Sequence, residues 1–159
     1  MTMKEKWPKI DQKMMKAALE QAKLAILEGD QPFGTVIVKD EAIIGRGKSQ
    51  DIGGGTVIEH AEIMALIEAC RTNGGNNLQG ATLYTTNEPC PMCAAAIFQA
   101  KIDLVKIGLL RTDLPGLLRP RKVRIFELAE DSGYPIKIES GLLKEEIMAV
   151  FQDFLARKK

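Results

Sequence analysis

Two cysteines three residues apart open the part of this chain whose residue types could do chemistry: Thr85 to Phe98 reads TTNEPCPMCAAAIF. Pro91 suits the first position of a helix, where its missing N–H is no loss, so Cys90 is the expected N-cap and Cys93 sits on the first turn. Free backbone N–H groups and the positive end of the helix dipole favour thiolates there. Such a pair fits a redox couple, half of a metal site, or two ordinary buried thiols. The single histidine of the chain, His60, lies in IEHAEIMAL at the start of an earlier helix, with Glu62 two residues on. His60, Cys90 and Cys93 together supply three zinc ligands and leave the fourth tetrahedral position to water, which separates a catalytic zinc site from a structural one.

Glu62 then acquires a role. A helix start aimed at a metal places its third position beside the attacking water, whose pKa the metal lowers, and a carboxylate there can carry a proton to a leaving group. That suits hydrolytic deamination of an amidine carbon in a base. Cys70 does not close the site: ten residues beyond His60 on one helix, it is about 15 Å away along the axis, and a zinc–sulfur bond spans only about 2.3 Å. Cys70 is expected to be a buried thiol. A thioredoxin-like redox reading of CPMC leaves His60 and Glu62 unexplained.

The elements that must position these residues can be read from periodicity. Apolar residues recur at helical spacing from Gln12 to Leu27, and Gly29 follows as a stop. GTVIVKDEAIIGRG reads as a β-hairpin turning at Lys39-Asp40-Glu41. QDIGGGTV is a flexible loop whose glycines form a mobile rim. A second helix is expected from about Glu59 to Arg71, a buried strand at GATLYTT, a third helix from Pro91 to Ala100, and a strand at IDLVKIGLL. Beyond RTDLPGLLRPR come a helix (Val123–Glu130), a short strand (Ile136–Glu139) and a last helix (Leu142–Ala156). This alternation predicts a single domain over residues 1–159, a three-layer α/β/α sandwich on a five-stranded mixed sheet. The helix between the last two strands requires a crossover, so those strands should be parallel.

Composition limits the partners. The chain has 159 residues, 45% hydrophobic and 27% charged, with a net charge of +1. Those are globular values, without the basic excess that announces nucleic acid. There is no apolar run of membrane-spanning length, and the start MTMKEKWPKIDQ lacks a signal-peptide core. Three cysteines make a poor disulfide framework, so a cytoplasmic protein with reduced thiols is expected.

His-x-Glu followed by Pro-Cys-x-x-Cys is the pattern of zinc-dependent base deaminases, and the chain resembles the cytidine deaminase-like superfamily from roughly Lys13 to Leu155. PFGTVIVKD, HAEIMAL, ATLYTTNEPCPMC and IESGLL carry the resemblance most densely. It implies zinc (Zn2+) as cofactor on His60, Cys90 and Cys93, and Glu62 as proton shuttle. The crossover before the last strand resembles guanine, yeast-type cytosine and tRNA-adenosine deaminases rather than free cytidine deaminases.

Within that branch PFG and EPCPMC look like guanine deaminases, whereas HAEIMAL and the ending FQDFLARKK look like tRNA-adenosine deaminases. Relatives usually carry an Asn at the end of the second strand that bonds the base or sugar; Ser49 stands there. Phe33 is expected to stack on a base or join the core, and Asp113 to bind an exocyclic amine or start a turn. Arg111, Arg119, Arg121, Lys122 and Arg124 form a basic cluster, either a solvated face with salt bridges or a phosphate patch. The near-neutral charge, Ser49 and the altered loop at Leu114 to Arg119 favour a free nucleobase or base-like heterocycle as a small-molecule substrate. A tRNA wobble-adenosine deaminase, with RNA as partner, is the alternative, and a non-catalytic zinc-binding module the second. The resemblance also implies a homodimer pairing through the metal-bearing helices and burying AAAIFQA.

Overall fold

The computed structural model describes residues 6–158. Ten regular elements follow one another: α1 (Lys9–Leu27), β1 (Gly34–Lys39), β2 (Ala42–Lys48), α2 (Ala61–Asn73), β3 (Thr82–Asn87), α3 (Pro91–Gln99), β4 (Leu104–Leu109), α4 (Ile125–Ser132), β5 (Lys137–Ser140) and α5 (Lys144–Arg157). They build a five-stranded sheet in the order β2-β1-β3-β4-β5. β1 is antiparallel to both β2 and β3, while β3, β4 and β5 run parallel. Each parallel step is bridged by a helix, α3 and then α4, which is the crossover that the spacing predicts.

Alternation along the strands sorts side chains into two cores. Val36 and Val38 face α1 and α5, packing with Met15, Ala18, Leu19, Ile147 and Phe151. Ile37 faces the other way with Leu83, Val105 and Ile107, against Ala65 and Ala69 of α2, Ala94 and Ile97 of α3, and Ile125 of α4. Helices therefore cover both faces of the sheet, giving three layers. Among the described residues no helix is long and apolar enough to cross a membrane.

Several boundaries differ from expectation for local reasons. α1 starts three residues early because the Pro8 carbonyl accepts the Gln12 N–H at 3.2 Å. α2 starts two residues late because His60 keeps extended backbone (φ −76°, ψ 155°) as its N-cap. The hairpin turn consists of Asp40 and Glu41, both left-handed at φ 52° and 62°, the geometry of a two-residue turn between twisted strands.

Edge strand β2 holds the site's first helix in place. A Cβ at Gly47 would lie 2.0 Å from the Ala61 carbonyl oxygen, and one at Gly45 2.3 Å from that of Ala65. Helix and strand thus touch backbone to backbone, which only glycine permits. The start of α2, carrying His60 and Glu62, is seated directly on the sheet.

Candidate active site

The side chains that could hold a metal come from two helix starts. Cys90 is the N-cap of α3 (φ −69°, ψ 168°), with Pro91 at the first helical position, and His60 caps α2. Both helix starts follow chain leaving the sheet, and Cys90 lies just past the carboxyl end of β3, where open α/β sheets place their ligand crevices. The His60 Nδ1 lies 3.6 Å from Cys90 Sγ and 3.5 Å from Cys93 Sγ. All three ligand atoms fall within 4.8 Å of one another.

These distances fit zinc. Bonds of about 2.3 Å to sulfur and about 2.0 Å to nitrogen at a tetrahedral angle separate N from S by about 3.6 Å. The thiols also show the right chemistry. The Cys93 S–H donates to Cys90, holding the Cys90 thiol down to about 4, helped by His60 and by the Cys93 backbone N–H. The same bond, together with burial, pushes Cys93 upward. His60 is raised above its ordinary value, chiefly by its contact with Cys90 and against burial. A cation seated here displaces these protons and takes two thiolates and a neutral imidazole. Cys70 is half-buried in the α2 side of the core and is not one of this cluster.

Glu62 is 2% exposed. Burial raises its pKa above the usual carboxylate range, with contacts to the Cys93 thiol and the charge of His60 opposing. It lines a cavity of about 120 Å³ with His60, Ala61 and Cys90, while Gln31, Phe33, Ser49, Asp51, Asn87, Glu88, Arg111 and Leu118 form the remaining walls. Pockets for drug-sized ligands run to roughly 300–1,000 Å³, so this one takes a single ring system and leaves the rest of a larger substrate outside.

The three substrate-facing positions suggested by the sequence fare differently. Phe33 lines the cavity and also joins the core, its ring meeting Phe151 edge-on at 5.9 Å. Ser49 lines the cavity but is 3% exposed, and its hydroxyl donates to Asp30 Oδ1 at 2.9 Å, with Asp51 Oδ1 at 3.2 Å. Asp113 is not among the cavity residues. Its carboxylate accepts from the Leu110 N–H and from Lys144 Nζ, each at 2.9 Å, the turn-starting role rather than the amine-binding one.

Two further expectations give way. The glycine loop is tied down, not free: the Gly53 N–H donates to Asp30 Oδ2 at 3.0 Å, and Glu59 accepts from Gln50 and Thr56 beneath it. The basic cluster splits in two. Arg111 and Arg124 pair with the buried Glu88: Arg124 Nε reaches both of its oxygens at 3.1 and 3.2 Å, Arg111 Nε comes within 3.7 Å, and the Arg111 backbone N–H donates to it at 3.1 Å. Arg119, Arg121 and Lys122 are exposed. Sequence reasoning missed Gln31, Asp51, Asn87, Glu88 and Arg111 as cavity residues. The adjacency of Asn87-Glu88 to Cys90 and of Gln31 to Phe33 was the available signal.

Residues 8–109 match the cytidine and deoxycytidylate deaminase zinc-binding region. The chain belongs to that family. It is a zinc-dependent deaminase, a hydrolase of C–N bonds, and its fold is that of the cytidine deaminase-like superfamily. It is 34% identical over 153 residues to the tRNA-specific adenosine deaminase of Bacillus subtilis (strain 168), spanning 94% of this chain and 93% of that protein. A solved structure from studies of A-to-I editing by tRNA:A34 deaminases at the wobble position of transfer RNA matches with a TM-score of 0.76 and 30% identity, over 87% of this chain and 98% of the other. The guanine deaminase of Bacillus subtilis (strain 168) is 43% identical, but over 82 residues, about half of either chain (52% and 53%).

These matches overturn the expectation of a free nucleobase substrate. Sequence similarity over nearly the whole chain lies with proteins named for tRNA, whereas the sequence match to the guanine enzyme covers about half. The solved structure of that guanine deaminase covers 76% of this chain with a TM-score of 0.64, against 87% and 0.76 for the tRNA:A34 deaminase structure. The misleading signals have physical explanations. PFG and EPCPMC sit at the metal site and its cavity, which any deaminase of a base needs. Net charge averages over the surface and does not register three exposed cations within four residues.

The metal content is directly checkable. The purified deaminase should hold about one zinc per chain, with X-ray absorption showing two sulfur neighbours. A third sulfur neighbour would rule out the open site.

Proposed function

We propose that this deaminase converts adenosine to inosine in a tRNA anticodon arm. The observation that carries the reading is full-length similarity to tRNA-specific adenosine deaminases, over 93% of the Bacillus subtilis protein. Two features support it. The small cavity suits one base turned out of a loop while the rest of the RNA stays on the surface. Exposed Arg119, Arg121 and Lys122 follow the loop whose Leu118 lines that cavity, well placed to meet phosphates.

The residues divide the chemistry as follows. His60, Cys90 and Cys93 hold the metal. Zinc, when bound, supplies a Lewis acid that makes water a nucleophile near neutral pH. The Glu62 carboxylate takes a proton from the water that attacks C6 of adenine. It then delivers the proton to the exocyclic nitrogen, the C6–N6 bond breaks, and ammonia and inosine leave. Burial that raises the Glu62 pKa suits this return step, because a proton held nearer to neutrality is more readily given back. Phe33 offers its ring to the base.

The test is inosine formation in a synthetic anticodon stem–loop. Three phosphate contacts at a slope of about 0.7 each would weaken binding roughly twentyfold between about 50 and about 200 mM salt. Arg119→Glu with Arg121→Glu should weaken binding at low salt and flatten that slope. Tight, salt-independent binding, or no inosine in any RNA, would refute the reading.

A homodimer through the metal-bearing helices belongs to the same proposal. Met92 (36% exposed) and Ala95 on α3 and Ile67 (40%) on α2 leave apolar surface outward beside the site. Light scattering at micromolar concentration should give twice the chain mass, and a monomer mass would exclude it.

A further inference from the structure

The cavity wall holds a carboxylate that the deamination chemistry does not use. Asp51 lines the cavity, and it is half-buried where Glu62 and Cys93 are 2% and 0% exposed. That gradient puts the metal and Glu62 at the floor and Asp51 towards the mouth. Its side chain is held from behind. Ser49 Oγ lies between Asp30 Oδ1 at 2.9 Å and Asp51 Oδ1 at 3.2 Å, yet a hydroxyl has one proton to give. Asp30 is otherwise well supplied, taking the Gln31 and Gly53 N–H groups at 3.0 Å each. Asp51 receives no backbone N–H among the described residues. A carboxylate offers about four acceptor sites, and Asp51, which meets Ser49 and the Asp30 carboxylate on one side, lines the cavity with oxygen acceptors to spare.

The other polar walls behave differently. The other carboxylate, Glu88, is already taken by Arg124 and by the Arg111 backbone N–H. The amides of Gln31 and Asn87 can present either oxygen or nitrogen, and the Arg111 guanidinium presents only N–H groups. These can serve the ring nitrogens of adenine, which are acceptors. Asp51 offers the cavity carboxylate oxygens, which are acceptors. An adenosine inside an RNA chain carries donors in two places: the exocyclic amine, which is at the floor of the cavity during the reaction, and the ribose 2′-hydroxyl, which follows the base in and stops at the mouth. We infer that Asp51 accepts the 2′-hydroxyl of the target nucleotide and so makes this cavity select ribose over deoxyribose, with Ser49 and Asp30 positioning it. The inference rests on the adenosine-in-RNA reading above. A 2′-deoxy target withdraws the donor and leaves a carboxylate facing the sugar between two phosphates, so discrimination comes from both the lost bond and the uncompensated charge.

The experiment compares two stem–loops that differ only at the target, adenosine against 2′-deoxyadenosine, by kcat/KM with the zinc-loaded enzyme. Wild type should prefer the ribose target by roughly ten- to a hundredfold, the range for a hydrogen bond to a charged group. Asp51→Ala should bring that ratio close to unity, and Ser49→Ala should lower it by loosening the carboxylate. Asp51→Asn, nearly isosteric, controls for folding and should also reduce the ratio. A general structural defect would lower both rates and leave the ratio unmoved, so an unmoved ratio overturns the assignment. Equal turnover of the two targets by wild type overturns it as well. Absence of turnover on the ribose stem–loop would instead bring down the adenosine-in-RNA reading, and this assignment with it.

Discussion

Glu62→Gln should fold, bind zinc normally and lose nearly all turnover. The amide fills the same space, and the residues that could hold a metal, His60, Cys90 and Cys93, are left unaltered. It cannot take a proton from water or return one to the leaving amine. Positioned general acid–base groups contribute about 10² to 10⁴ in rate, and because the proposed mechanism gives both transfers to one residue, the upper part of that range is expected. Zinc content and the unfolding midpoint should stay near wild type or rise slightly, since a neutral amide is easier to bury than a carboxylate whose pKa burial has already raised. A variant that still deaminates within a few-fold of wild type would remove Glu62 from the mechanism. One that also loses its zinc would show that the carboxylate supports the metal instead.

Glu88→Ala should be the most destabilising single change near the site. Glu88 is 1% exposed and Arg111 7%, and the Arg124 guanidinium reaches both oxygens of the same carboxylate. Arg111 has one further bond, from Nη1 to the Arg119 carbonyl at 2.9 Å, and its Nε has only the more distant Glu88 oxygen at 3.7 Å. Burial already presses the Arg111 pKa downward, with Glu88 the first influence opposing it. Removing the carboxylate therefore strands a buried cation, which typically costs about 3–5 kcal/mol. Denaturant unfolding reads this directly, and a loss below about 1 kcal/mol would mean that water or the exposed surface takes over the arginines. Glu88→Gln keeps acceptor and shape but not charge and should fall between. Because Glu88 stands two residues before Cys90, the alanine variant should also hold zinc more weakly.

The Glu88 network shows where reading the chain in one dimension stops. Five basic residues between Arg111 and Arg124 looked like one patch. The fold turns the side chains of two of them towards a carboxylate 23 and 36 residues earlier and leaves Arg119, Arg121 and Lys122 to the solvent. Asp113 was similarly ambiguous: amine ligand and turn residue are both good uses of an aspartate after a strand. The arrival of Lys144, 31 residues on, together with the Leu110 N–H, occupies it. Ser49 lines the cavity, as Asp51 does, yet its hydroxyl points to Asp30, 19 residues earlier.

What the sequence by itself determined is whatever local rules govern. Proline at a helix start, cysteines one turn apart, histidine and glutamate two apart at another helix start, and strand–helix alternation all act within a few residues. They were enough for the elements, the parallel crossovers and the metal chemistry. Tertiary structure decided the rest. Gly45 and Gly47 bring α2 into backbone contact with β2, and that contact seats His60 and Glu62. The walls of the cavity depend on which distant side chains capture one another first, because a polar group satisfied by a buried partner is no longer available to a substrate. Substrate identity belongs to that second class, since it is set by the donors and acceptors left over after folding has satisfied the others.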